Sequence, residues 1–488
     1  MMTCSNTARA MRLMLLLGFF SAIGIGIHSA SAQNGDAKRT RIEIGTRRQL
    51  LVDDEIIEKQ VGLKRELGTV EKANDGKPIF TDGRFYGTVL YDDERFKLWY
   101  RLPKNDGYGY AESKDGVHFE KRALLSGINF AGDYTLSVMI DPHETDPEHR
   151  YKGGYDGPGM AAALAHSRDG IMWVPYNDEK PVTGRAADTY NHLLWDDEAK
   201  LYRLFTRTDF GTAGGLTEVR GTRSMTNTDV KSQPTNWELV ENWKFEKEGE
   251  NEISRRQIYA VTDWMYHGIH FALLSVYEWP GDTSEGPADL EKRHERDVMN
   301  FYIATSRDGK SWDFNWVYAE QPMIPRGSDG AFDKDLLFPA SAIVTHDDRH
   351  WLYYCGGNER HGTPEVSFPR GLVIGLARLR LDGFVALTPT DDTATFTTYP
   401  FVLEGSELEV NVDASKGHLS VAVQDSAFQE VPGYGHGDCR LEPGVNDVHA
   451  QVSWMGNRDL RKLKGQTIRL EFKLYRSKVY AFQILDPK

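Results

Sequence analysis

The stretch Ala165-His-Ser-Arg-Asp-Gly-Ile-Met-Trp173 (AHSRDGIMW) has two relatives in the same chain, AESKDGVHF at 111–119 and ATSRDGKSW at 304–312. Each holds Ser, a basic residue, Asp and Gly, with an aromatic residue three positions after the Gly. The Asp carboxylate of such a segment can accept hydrogen bonds from N–H groups one to three residues on. Gly supplies positive φ, and the Ser hydroxyl caps the same turn. The aromatic residue is then expected to pack between neighbouring sheets. A catalytic or metal-binding aspartate is rarely needed three times in symmetry-related places, so the repeat reads as a turn that counts structural units.

Each copy follows an apolar strand: GYGYAES, AAALAHS and NFYIATS. A second recurrent phrase sets paired acids between two strand-like runs, as in GTVLYDDERFKLWYRL (87–102), HLLWDDEAKLYRLFTR (192–207) and AIVTHDDRHWLYYCGG (342–357). This is a hairpin pattern, with the acids expected to be solvent turns. SVMIDPHETDPEHRYKGGY and DWMYHGIHFALLSVYEW are variants with other connections. Together the phrases mark five units at roughly 84–123, 132–176, 187–240, 256–317 and 330–385. In unit three Trp237 keeps the aromatic position, and in unit five Asp382-Gly383-Phe384 is expected to do the work of the repeated turn. Four antiparallel strands repeated at this spacing predict a five-bladed β-propeller over 33–388. From 389 to 488 the texture changes to longer alternating hairpins, which predicts a C-terminal β-sandwich. The segment 42–80 is expected to supply a strand that closes the ring.

Composition agrees with an all-β chain: 488 residues, 11% aromatic, 46 glycines. Arg9 and Arg12, an apolar run from Leu13 to Ile27, and Ala30-Ser31-Ala32 read as a signal peptide over 1–32, cleaved after Ala32, so the protein is expected to be secreted or periplasmic and to leave the membrane. Cleavage removes two arginines and no acids, taking the formal charge from −14 to −16. So acidic a chain lacks the basic surface that nucleic-acid binding needs. Cys355 and Cys439 remain, free or paired. There is no CxxC, HExxH or EF-hand loop, and neither metal nor cofactor is expected.

In a propeller, chemistry belongs where the innermost strands begin, at the mouth of the central channel. The acids there are Asp82, Asp133, Asp188, Asp263, and Asp333 or Asp335; of these Asp82, Asp133, Asp188 and Asp333 are the catalytic candidates. Glycoside hydrolysis uses two carboxylates flanking the scissile bond. Asp188 is read as transition-state stabiliser or acid/base, and Asp133 as nucleophile or general base. Separations of about 5 Å and above about 6.5 Å would distinguish retention from inversion. Tyr86, Tyr134, Tyr190, Tyr259, Trp264 and Phe338 are candidate platforms for sugar faces. In YYCGGNERHGTP (353–364), Glu359 and His361 are candidate rim residues, contacting substrate or donating a proton.

With these residues in view, the chain resembles glycoside hydrolase family 32, the invertase-like and fructanase enzymes. The turns ESKDGVHFE and TSRDGKSWD carry that likeness. LLVDDEIIE, FKLWYR, DTYNHLLWD and LARLRLDGFVAL resemble more closely a group of exported bacterial proteins with a family-32-like N-terminal domain, over nearly the whole mature chain. The resemblance implies a five-bladed propeller, a sandwich and a carbohydrate-active role. The invertase motifs Trp-Met-Asn-Asp-Pro-Asn-Gly, Arg-Asp-Pro and Glu-Cys are absent, so no catalytic residue carries over. The expected function is an exported glycoside hydrolase acting on a polysaccharide-derived glycan. The alternatives are a non-catalytic glycan-binding or scaffold propeller and a sialidase-like hydrolase, which would need an arginine triad from among Arg101, Arg203, Arg207 and Arg370.

Overall fold

The computed structural model describes residues 41–486 except 104–106, 130–134, 185, 187–188, 211–218, 247–254, 280–296, 361–370 and 458. The chain is nearly all β. Among the described residues no helix is long and apolar enough to cross a membrane.

Units one to three are separate four-stranded antiparallel meanders. Unit one runs Arg84–Asp92, Arg95–Arg101, Tyr108–Ser113, Glu120–Leu124. Unit two runs Leu136–Ile140, Tyr151–Gly157, Ala161–Ser167, Trp173–Pro175. Unit three runs His192–Asp196, Leu201–Phe210, Val219–Asn227, Glu238–Trp243. Units four and five depart from the expected separation. Strands Arg256–Tyr266, Ile269–Glu278 and Val298–Ser306 join Leu336–Pro339, Arg349–Gly357, Val373–Arg380 and Glu71–Lys72 in one eight-stranded sheet that also includes Val344–His346. The link is a single parallel pair, Met299 with Leu336. Unit four lacks the expected fourth strand because the residues after its turn fold back. Trp312 stacks on Trp243 of unit three at 5.3 Å, and Phe314 packs on Phe245 at 5.5 Å.

All three repeated turns adopt one geometry. In unit two the Ser167 hydroxyl accepts from Asp169 and Gly170 N–H, and Asp169 Oδ1 accepts from Ile171 and Met172 N–H at 2.8 and 2.9 Å. Ser113 with Asp115, and Ser306 with Asp308, repeat the pattern. Burial alone would raise the Asp169 carboxyl, but these N–H groups outweigh it and hold it below the usual range. Each turn is also a latch. The carbonyl of its Gly accepts from the preceding unit: Tyr353 OH to Gly116 at 2.8 Å, Trp99 Nε1 to Gly170 at 2.7 Å, Arg203 Nη1 to Gly309 at 3.2 Å.

Gly170 has φ +77°, and a Cβ there would lie 2.7 Å from the Trp99 ring. Left-handed strain of about 1–2 kcal/mol plus overpacking predicts a loss of about 2–3 kcal/mol for Gly170→Ala. Guanidinium unfolding checks this; Gly159→Ala, at φ +74° with nothing within 4 Å of the new Cβ, should show the strain alone.

Two of the three Asp-Asp turns depart from the solvent turns expected, because their first acid, like Asp141 of unit two, binds the second strand of the next unit; Asp93, Asp197, Asp347 and Asp348 are exposed as expected. Asp92 accepts from Arg150 and Tyr151, Asp141 from Tyr202, and Asp196 faces the His270 ring at 3.5 Å. A buried carboxylate needs a partner, and the next sheet offers one. The first strands are tied in turn. Ser341 bonds Thr88, Thr88 Oγ1 accepts from Val138 N, Ser137 bonds His192, and His192 bonds the Asp263 carbonyl at 2.7 Å.

The sandwich takes strands from both ends of the chain. Gln49–Leu50 and Leu63–Leu67 enter one of its sheets, and Ile57–Val61 enters the other. The segment 42–80 does supply a strand to unit five, Glu71–Lys72, with the Phe80–Ile374 bridge beyond it, while 49–67 joins the sandwich instead. The reason is hydrophobic: Leu51, Ile56 and Ile57 bury in the sandwich core with Phe396, Phe472 and Phe482. Val385–Pro389 belongs to the same sandwich sheet as Leu63–Leu67, so that layer begins before the expected boundary at 388. Cys355 and Cys439 are both free thiols.

Asp382 also departs from its expected role as a fifth repeated turn. It is buried, its carboxylate faces Arg48 Nε at 2.7 Å, and it accepts from Tyr266 OH at 2.8 Å and Asn411 Nδ2 at 3.1 Å. It ties Arg48 and Asn411 of the sandwich to Tyr266 of unit four.

Candidate functional site

The direction of the strands places four of the aromatic candidates and the repeated turns at opposite ends of the units. First strands run away from the end where Tyr86, Tyr190, Tyr259 and Phe338 meet; the repeated turns lie at the far end, after the third strands. The four aromatics come from units one, three, four and five. Tyr86 packs edge-on to Tyr190 at 5.4 Å and to Phe338 at 5.5 Å, and Tyr86 OH bonds Tyr259 OH at 2.6 Å. Tyr190 is wedged deepest: its OH donates to the Gly87 and Pro339 carbonyls and accepts from Gly87 N. Burial drives its phenol well above the ordinary range, so it stays neutral. Tyr190 is therefore a bolt between first strands, and only the edge of the cluster, at Tyr86, reaches 8% exposure.

The sequence candidates fall in three groups. Asp133, Asp188, Tyr134 and His361 lie outside the described residues. Asp82 is exposed at the entrance to unit one, ion-paired with Lys121 at 2.7 Å. Asp333 is 1% exposed and held by Lys72 at 2.5 Å, from the edge strand Glu71–Lys72, and by Tyr354 OH at 2.9 Å, from the interior strand Arg349–Gly357. It is neighboured by Phe332, which stacks on Tyr354, so it braces the sheet. Trp264 stacks on Tyr266 at 5.0 Å beside the His267-Gly268 hairpin, at the opposite end from the aromatic cluster. Glu359 follows the buried strand Arg349–Gly357; its Oε2 is enclosed and has no hydrogen-bond partner among the described residues.

Other buried and half-buried charges gather at the same end; of these the sequence reading named Asp335, Arg101 and Arg207 and passed over Glu278, Arg256, Arg326, Asp156, Asp297 and Arg84. Glu278 ends the strand Ile269–Glu278, buried at every position, and accepts from Tyr302 OH at 2.7 Å and from Asn300, with Arg256 Nη2 at 3.3 Å. Burial first, and then the Glu278 charge, push the Tyr302 phenol up. Arg326 joins Asn300 to the Lys334 carbonyl, and Asp335, directly before Leu336–Pro339, pairs with Arg360 at 3.1 Å. Asp156 and Asp297 are fully buried at comparable strand ends. Arg84 and Arg101 are opposite one another in register, both buried, and Arg207 lies over the Tyr259 ring at 5.4 Å. The signal available in the sequence was an acid closing an unbroken apolar run, as in ALLSVYE. Arg203 is engaged elsewhere, with Asp196 at 2.7 Å and the Gly309 latch. Of the arginines that sialidase-like chemistry would draw on, Arg203 is thus held away from Arg101 and Arg207, and Arg370 lies outside the described residues.

No protein-family model matches the chain, and no curated protein does. Solved structures of distant relation include a thermostable family-43 glycoside hydrolase, 14% identical, covering 64% of this chain and 94% of that one at a TM-score of 0.44. An endo-1,4-β-xylanase from Bacteroides thetaiotaomicron is 11% identical, covering 63% and 92% at 0.41. A third comes from the mannoside phosphorylase family that contains hydrolases of β-1,2 mannosidic linkages; it is 13% identical, covering 68% and 96% at 0.40. At TM-scores this low, the likeness assigns neither fold nor chemistry to this chain.

Proposed function

We propose that the chain is an exported glycoside hydrolase, built as a five-bladed propeller with a sandwich, and that it cleaves a polysaccharide-derived glycan at the mouth of the channel. The observation that carries this reading is the coincidence, at the starting ends of first strands from different units, of an aromatic cluster and of carboxylates sheltered from water. Hydrolysis of a glycosidic bond requires one carboxyl to protonate the leaving oxygen and a second to attack the sugar or activate water. Asp133 and Asp188, which precede the first strands of units two and three in the sequence, keep the roles of nucleophile or base and of stabiliser or acid/base. Asp82 sits at the corresponding place of unit one. Asp333 is replaced in this reading by Glu278, whose carboxylate is held in one orientation by Tyr302, Asn300 and Arg256. Glu359, with one enclosed oxygen, is assigned to proton donation or substrate contact. The export pattern at 1–32 supports an extracellular substrate.

The test is a screen of the purified protein against plant and marine glycans, with Asp133→Asn, Asp188→Asn and Glu278→Gln as variants. Turnover should appear on at least one glycan and fall by about 10²-fold or more in at least one of the three. Unchanged turnover in all three would overturn the site. Binding of a glycan without turnover would favour a glycan-binding propeller instead.

A further inference from the structure

We propose that Glu430, His436 and Glu471 form a site for a zinc-class divalent cation on the sandwich, remote from the channel mouth. One ligand atom from each lies within 4.8 Å of the others. His436 Nε2 and Glu471 Oε2 are 3.0 Å apart. Two ligands on a tetrahedral cation with bonds of about 2.0–2.2 Å would stand slightly farther apart than this, so a small outward shift admits the ion.

The surroundings are arranged as metal sites are. His436 Nδ1 bonds Ser420 Oγ at 2.9 Å. With Ser420 accepting from Nδ1–H, the lone pair of Nε2 points at the carboxylates, which is the tautomer a cation needs. Gln424 Nε2 donates to Glu471 Oε2 at 2.8 Å and sets the orientation of that carboxylate. Glu430 is drawn in over the backbone: its Oε1 accepts from His436 N at 3.4 Å. A Cβ on Gly435 would lie 2.2 Å from Glu430 Oε2, so a side chain there would displace the carboxylate from its present place. One imidazole and two carboxylates suit zinc and its transition-metal neighbours; calcium prefers an all-oxygen set. The ion would clip the loop 430–438 to the strands His418–Gln424 and Thr467–Tyr475. These residues are far apart in sequence, which is why no spaced motif announces them.

Isothermal titration of the untagged, EDTA-stripped chain with ZnCl2 tests the site. One zinc per chain is expected, with little response to CaCl2, and the thermal midpoint should rise with ZnCl2 and return with EDTA. His436→Gln and Glu430→Gln should each weaken zinc at least tenfold, and Ser420→Ala about tenfold through loss of ring orientation. Glu430 is exposed, so its variant carries the test if His436→Gln folds poorly. Absence of zinc binding, equal affinity in wild type and Glu430→Gln, or calcium bound as tightly as zinc would each overturn the proposal.

Discussion

Asp382→Asn is expected to lower the stability of the chain by about 3–5 kcal/mol, the cost of breaking one side of a buried ion pair. The substitution keeps the size of the side chain, and Asn tolerates the positive φ of 54° found there. What it removes is the charge that faces Arg48, where the two side chains are 0% and 6% exposed. Arg48 retains Glu409 at 3.0 Å, which favours the lower part of the range. The same carboxylate receives Tyr266 from unit four and Asn411 from the sandwich, so the loss falls on the junction of the two layers. Guanidinium unfolding should show the shift, and limited proteolysis should cut first within 41–67, whose strands depend on that junction. Because interacting sites are not additive, Arg48→Met together with Asp382→Asn should cost less than the sum of the two single losses. An unchanged midpoint in Asp382→Asn would refute the assignment.

His270→Gln is expected to cost a similar amount near neutral pH and much less above pH 9. Burial would by itself push the imidazolium down, but Asp263 at 2.7 Å and then Asp196 outweigh it and hold His270 up at about 9. A group raised above its unfolded value stabilises fully below that unfolded value, here 6.5, and loses its contribution as pH rises through about 9. The difference corresponds to roughly 3 kcal/mol. His192 and His350 act in the opposite sense. Burial holds them down at about 4 and about 3, and the ring Nε2 of His350 faces Asp382 N–H at 3.0 Å. Their contribution is present above 6.5 and is lost as pH falls toward those values. Stability should therefore peak near pH 6.5 and fall on both sides. Equal unfolding midpoints for wild type at pH 6.5 and 9.5 would remove the first half of this account. A wild type as stable at pH 4 as at pH 6.5 would remove the second.

The repeated turn was legible in the residues because every fixed position has a local reason. Ser113, Asp115 and Gly116 satisfy one another within a single turn, and so do their counterparts. The partners of the glycine carbonyls were not legible: Tyr353, Trp99 and Arg203 come from a different unit in each case, and nothing in their own neighbourhood marks them. The same holds for Asp92, Asp141 and Asp196. An Asp-Asp pair between strands is a turn by local chemistry, and only the approach of the next sheet turns its first member into a buried ligand.

The candidate site divides the same way. Asp82 and Asp333 occupy similar places in sequence, each shortly before a first strand. One is exposed beside Lys121 and the other is enclosed by Lys72 and Tyr354. Which side of a strand start faces the channel depends on twist and on neighbouring sheets, and strand alternation alone does not report it.

By itself the sequence determined the all-β class and the conformation of the repeated turns, since period-two alternation, glycine and Asx chemistry act over a few residues. Tertiary structure decided which residues bridge the units, that Leu51 to Leu67 serve the sandwich rather than the ring, and which acids are buried at the mouth. Those outcomes depend on pairing between segments hundreds of residues apart, where the free energy comes from burial and charge compensation that no local pattern encodes.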